Sequence, residues 1–130
     1  MSVSREYVTF VLDQLAPLGV VETRRMFGCV ALFQAGRMFA LVDGDAKLYI
    51  KADDQNRERF IAEGFPPFTY VTTRRSGGQQ EVALGYYRIA EELVEDNQEL
   101  LRWAHEGIAA AMRTPEKKPR KTTKKPGVKA

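Results

Sequence analysis

Residues 24–52, RRMFGCVALFQAGRMFALVDGDAKLYIKA, decide the fold. Short apolar stretches in this run are separated by Gly28, by Ala35-Gly36 and by Asp43-Gly44-Asp45-Ala46, and each interval has room only for a turn. Strands linked this tightly run antiparallel, because a parallel return needs a crossover of about a dozen residues or more. Cys29–Gln34, Arg37–Asp43 and Lys47–Lys51 therefore read as neighbouring strands, and Val20–Phe27 completes a meander in front of them. Alternation puts Val30, Leu32, Met38, Ala40, Leu48 and Ile50 on one face and Phe33, Phe39, Leu41 and Tyr49 on the other. Both faces are apolar, so the second needs cover from helices or from another subunit, and homodimerisation through it is one expectation.

Outward from this sheet the pattern changes period. Tyr7, Val8, Val11, Leu12 and Leu15 recur at helical spacing behind a Ser4 or Ser2 cap, and Pro17 and Gly19 end the segment. Asp53 or Asp54 caps a second helix, Gln55–Glu63, with Phe60 and Ile61 on its buried side. Pro66-Pro67 enforces an extended lead into a strand at Phe68–Thr72. A flexible Arg74–Gln80 connection joins that strand to another at Glu81–Arg88. A helical region opens near Ile89, and Asp96 with Glu99 forms a capping box that starts the main helix afresh. Its stripe is Leu100, Ala104, Gly107, Ile108 and Ala111, flanked by Trp103. The sum is an α+β class: an antiparallel sheet of about five to six strands with an N-terminal helix, a middle helix and C-terminal helices packed on it.

Charge divides the chain at residue 112. Residues 113–130 carry eight basic side chains against Glu116 alone, whereas residues 1–112 hold 12 basic and 16 acidic ones. A mildly acidic body of 1–112 thus precedes a basic tail of 113–130, in which Pro115, Pro119 and Pro126 argue for disorder. The single Cys29 cannot form an internal disulfide, and no stretch has the apolar length of a membrane span. A cytoplasmic protein with no membrane contact is expected.

Few residues offer chemistry. His105, the only histidine, lacks a nucleophile partner and reads as a solvent or structural residue. Cys29 reads as a buried, inert thiol. Asp43 and Asp45 sit where a turn selects aspartate, and Asp53 and Asp54 where a helix start does; the calcium-loop spacing is absent, so no metal and no cofactor are expected. Gly77-Gly78 lacks the lysine and the helix of a phosphate loop. Arg24 and Arg25 point to opposite faces of a strand; one is expected in solvent and the other paired with a carboxylate such as Glu22 or Asp43, the alternative being a site for an acidic partner. The tail lysines and arginine, Lys117, Lys118, Arg120, Lys121, Lys124, Lys125 and Lys129, are suited to neutralising phosphates of DNA or RNA without reading sequence.

RRMFG at Arg24–Gly28, LF-x-x-G-x-MFAL at Leu32–Leu41, LYIKAD at Leu48–Asp53, PFTY at Pro67–Tyr70, GYYRI and the closing LLRWA helix together resemble the TfoX/Sxy N-terminal domain over residues 5–112. Cys29 stands where that family often has a second glycine. The resemblance implies an α+β fold and a role in regulating natural competence and DNA-uptake genes, with no catalytic residues to carry over. Full regulators of the family also carry a C-terminal helical domain, in whose place this chain is expected to have its basic tail.

A non-enzymatic regulatory or adaptor domain follows, binding a protein partner through its body and nucleic acid through its tail. The alternative from another class is a small enzyme or ligand-binding protein with a pocket near Arg24, Tyr49, Lys51 and Tyr70.

Overall fold

The computed structural model describes residues 3–26, 28–73 and 76–114. Six strands form one antiparallel sheet in the order β1-β2-β3-β4-β6-β5. β1 (Glu22–Met26), β2 (Cys29–Gln34), β3 (Arg37–Val42) and β4 (Leu48–Lys51) make the expected meander. β5 (Pro67–Thr73) and β6 (Gln79–Arg88) form a long hairpin that joins through its second strand, so that β6 lies against β4 and β5 is the outer edge. Phe27, Arg74 and Arg75 lie outside the described residues.

Turn chemistry explains the meander. Ala35 and Gly36 both have positive φ, 54° and 78°, the combination that suits a two-residue hairpin to the twist of its strands. At the β3–β4 turn the Asp43 carboxylate accepts from the amides of Asp45 (2.9 Å) and Lys47 (3.0 Å), the local backbone role anticipated for it.

All the helical cover lies on one face. α1 (Arg5–Gln14) is capped by Ser4, whose Oγ accepts from the Tyr7 amide at 3.2 Å; the alternative cap Ser2 lies outside the described residues. A short 3-10 turn at Ala16–Leu18 ends it. α2 (Arg57–Ala62), α3 (Glu91–Glu95) and α4 (Asn97–Arg113) complete the layer, with Asp96 accepting from the Glu99 amide at the start of α4. Val11, Leu15, Phe60, Val94, Leu100, Trp103 and Ala104 from the helices meet Leu32, Phe39, Ala40, Val42, Leu48 and Ile50 from the sheet. Phe60, Phe65 and Trp103 form an aromatic knot with ring centroids 4.9–6.4 Å apart. Such pairs are worth about 0.5–1.5 kcal/mol beyond their buried area.

Gly107 lets α4 approach the sheet. A Cβ there would stand 2.6 Å from Ile50 Cγ2 and 2.8 Å from the Phe39 carbonyl oxygen, both too close for any real side chain. The small-residue stripe read from the sequence is thus the contact line between α4 and strands β3 and β4.

Two expectations about facing are corrected. Met38 and Phe39 exchange sides, because the β2–β3 register slips between Leu32 and Phe33 and inserts an extra residue on β3. Phe39 is fully buried in the helix-covered core as a result, and Met38 joins the opposite face. Ile61 is half exposed, at 51%, rather than buried with Phe60: a six-residue helix turns one narrow side inward, and Phe60 occupies it.

Candidate functional site

The second sheet face carries its own cluster of Cys29, Leu41, Tyr49 and Tyr86, with Met38, Phe68 and Leu84 packed against it, and among the described residues no helical one takes part. Phe68 meets Tyr49 edge to face at 5.0 Å between centroids. Beside them lies a mostly apolar groove of about 280 Å³ lined by Met26, Met38, Phe68, Leu84 and Lys51, among others. Among the described residues its one charged lining group, the Lys51 ammonium, stands 5.3 Å over the Tyr86 ring.

The residues singled out for a ligand pocket distribute themselves around this face. Tyr49 and Lys51 share β4, where they pair with Arg88 and Tyr86 of β6. The Tyr49 hydroxyl donates to the Asp43 carboxylate at 3.1 Å; burial, with the Asp43 charge next, pushes its pKa up to about 12 while Arg88 opposes the rise. Arg24 lies three strands away from Lys51, with its guanidinium 4.6 Å over the Phe33 ring. Tyr70 sits on β5 opposite Val82, and its backbone alone is described.

The expected pairing of Arg24 or Arg25 with Glu22 or Asp43 does not form. Asp43 is occupied by its own turn and by Tyr49, and Glu22, on the same strand, is exposed. Among the described residues neither arginine makes an ion pair. Arg25 instead lines a second groove of about 240 Å³, on the helix side of β1, with Arg5, Val3, Val8, Thr23 and Val30, and Arg24 contributes to its rim.

The other residues considered for chemistry have ordinary surroundings. His105 is exposed on α4. Cys29 is 7% exposed, and burial, then Asp43, raises its thiol pKa, which disfavours the reactive thiolate. Asp54 pairs with Arg57 at 2.9 Å.

Sequence reasoning missed a polar latch that fixes the end of α4. Arg113, grouped with the tail by charge, is the last residue of that helix, and its guanidinium grips Asp53 with two hydrogen bonds of 2.6 and 3.0 Å. The Arg113 hydrogen bond is the main reason the Asp53 pKa is lowered to about 2. Fully buried Asn56 accepts from the Asp53 amide and donates to Glu106, which also pairs with Arg59. Arg37 donates to the carbonyls of Ala111 and Thr114. Apart from the local Asn56–Asp53 bond, these partners lie 47 to 77 residues apart, so no local spacing could reveal them. Lys117, Lys118, Arg120, Lys121, Lys124, Lys125 and Lys129 all lie outside the described residues.

Among the described residues no three His, Cys, Asp or Glu side chains gather as a metal site, and no helix is long and apolar enough to cross a membrane. The model of the TfoX N-terminal domain matches residues 13–111, which include every strand and most of α4. Protein Sxy of Escherichia coli (strain K12) is 32% identical over 101 residues, covering 78% of this chain and 46% of that protein. The chain therefore spans about half the length of the curated relative it matches. With its meander, its β5–β6 hairpin, α3 and most of α4 inside the matched segment, the chain belongs to the TfoX/Sxy family through that family's N-terminal domain.

Proposed function

We propose that the chain is a non-enzymatic regulatory adaptor of the cytoplasm, whose body holds a protein partner and whose basic tail adds sequence-independent affinity for nucleic acid. The family membership carries this reading, because the family is linked to the control of natural competence. The helix-free face supports a protein-binding body: it offers a mostly apolar groove with half-buried Met26, Met38, Phe68 and Leu84, the adaptable side chains that suit a partner surface. The tail's seven Lys and Arg side chains from Lys117 to Lys129 support the nucleic-acid role by composition.

Affinity capture with the full chain and with a chain ending at Thr114, each with and without nuclease, tests the division. The reading expects one protein to be retained by both chains after nuclease treatment. Loss of every captured protein on nuclease treatment would contradict it.

The second reading, a small-ligand protein, draws on Lys51 at the edge of the apolar groove, a pairing suited to a small amphiphilic anion. A homodimer seated on the same face is the third; sedimentation at micromolar concentration separates it from a monomeric adaptor.

A further inference from the structure

β1 is an edge of the sheet, and its outer side pairs with no strand among the described residues. Such an edge presents unpaired backbone N–H and C=O groups to any extended chain. Glu22, Thr23, Arg24 and Arg25 are all exposed, and Val20, just ahead of the strand, is at 78% the most exposed of the described large hydrophobic residues.

Arginines stand on both sides of this edge. Arg24 is on the helix-free face, ordered over Phe33. Arg25 pairs with Val30 on the helix side, where it shares with Arg5 of α1 a groove that Arg24 also borders. Among the described residues none of the three is neutralised by a carboxylate. Guanidiniums on opposite faces cannot converge on one phosphate, but they bracket a ligand one strand thick. Water solvates the exposed edge in the free chain, and an extended polypeptide backbone matches its row of donors and acceptors in a complex. A second copy of the chain fits poorly in the register that pairs the full length of β1, because centring on Arg24 sets that arginine against its own copy, and like charges across strands repel.

We propose that β1 takes up an acidic, extended segment of a protein partner as a seventh strand, with adjacent acidic residues opposite Arg24 and Arg25. One carboxylate then meets Arg24 over Phe33, and its neighbour, on the other face, meets Arg25 and Arg5. This assignment rests on the adaptor reading and names the surface and the partner chemistry within it.

Amide hydrogen exchange by NMR on the full chain tests it with a blocked peptide of about ten residues, in which Thr and Val flank a central Glu-Asp pair. The acidic peptide should protect β1 amides; the same peptide with Pro at alternate positions, unable to donate to a ladder, should not. The double variant Arg24→Glu with Arg25→Glu should weaken the acidic peptide by about tenfold or more. It should also gain binding of a peptide with a central Lys-Lys pair, a rescue that a misfolded variant could not give. Equal binding of the proline peptide, protection elsewhere, no binding, or displacement by short duplex DNA would each overturn the proposal. In the capture experiment, a partner retained by the double variant would sink this inference and leave the adaptor reading standing, whereas no partner on the unmodified chain would sink the reading itself.

Discussion

Two residues carry more of the architecture than their types suggest. Gly107 sits in the middle of α4, where glycine weakens a helix by about 1 kcal/mol relative to alanine, yet its missing side chain is what brings the helix against Ile50 and the Phe39 backbone. Gly107→Ala should therefore lower unfolding stability by about 1–3 kcal/mol in denaturant titration, overpacking outweighing the gain in propensity. A stabilised variant would mean that α4 stands further from the sheet. Asp53 makes a prediction in pH. Its carboxyl is held at about 2 in the folded chain, against an ordinary value of 3.8, so its contribution is complete above about pH 4 and lost as pH falls through about 2. Arg113→Gln removes the main cause of that depression. Between pH 4 and pH 2 the urea midpoint of the variant should fall less steeply than that of the natural chain, and parallel profiles would show that the latch does not hold α4.

Among the elements, the meander was legible because its links are too short for any other connection, and the Asp96 start of α4 because a capping box is a local signal. The β5–β6 hairpin was legible as two strands, but its attachment through β6 depends on long-range pairing that no window of sequence contains. Met38 and Phe39 were misassigned for the same reason: alternation assumes an unbroken register, and the slip between Leu32 and Phe33 appears only when β3 is laid against β2. The candidate site was less legible than the fold. Arg24, Lys51 and Tyr49 could be named from residue type, but which of them share a face with the apolar groove depends on that same register. One turn can be improved on physical grounds. Ala35 is exposed at φ 54°, a conformation that alanine adopts at a cost and asparagine tolerates. Ala35→Asn should raise stability by about 0.5–1 kcal/mol, measured by thermal or denaturant unfolding, and an unchanged value would place the turn outside the geometry that Asn-Gly favours.

Across the whole molecule the charges are segregated: an acidic body folded around one sheet, then a tail of opposite sign. α4 extends that body to Arg113, and the Thr114 carbonyl is still bound by Arg37, so removing residues 115–130 leaves every described contact in place. The proposed adaptor would separate its partners by chemistry, with polypeptide on the sheet and phosphate on the tail. Duplex DNA titrated against salt for the full chain and for the chain ending at Thr114 tests that division most directly. The full chain should bind with a log–log slope of about −4 to −6, as expected if about five or six phosphates are neutralised, and the shortened chain should lose that binding. Equal binding by the two, with the same slope, would contradict the account.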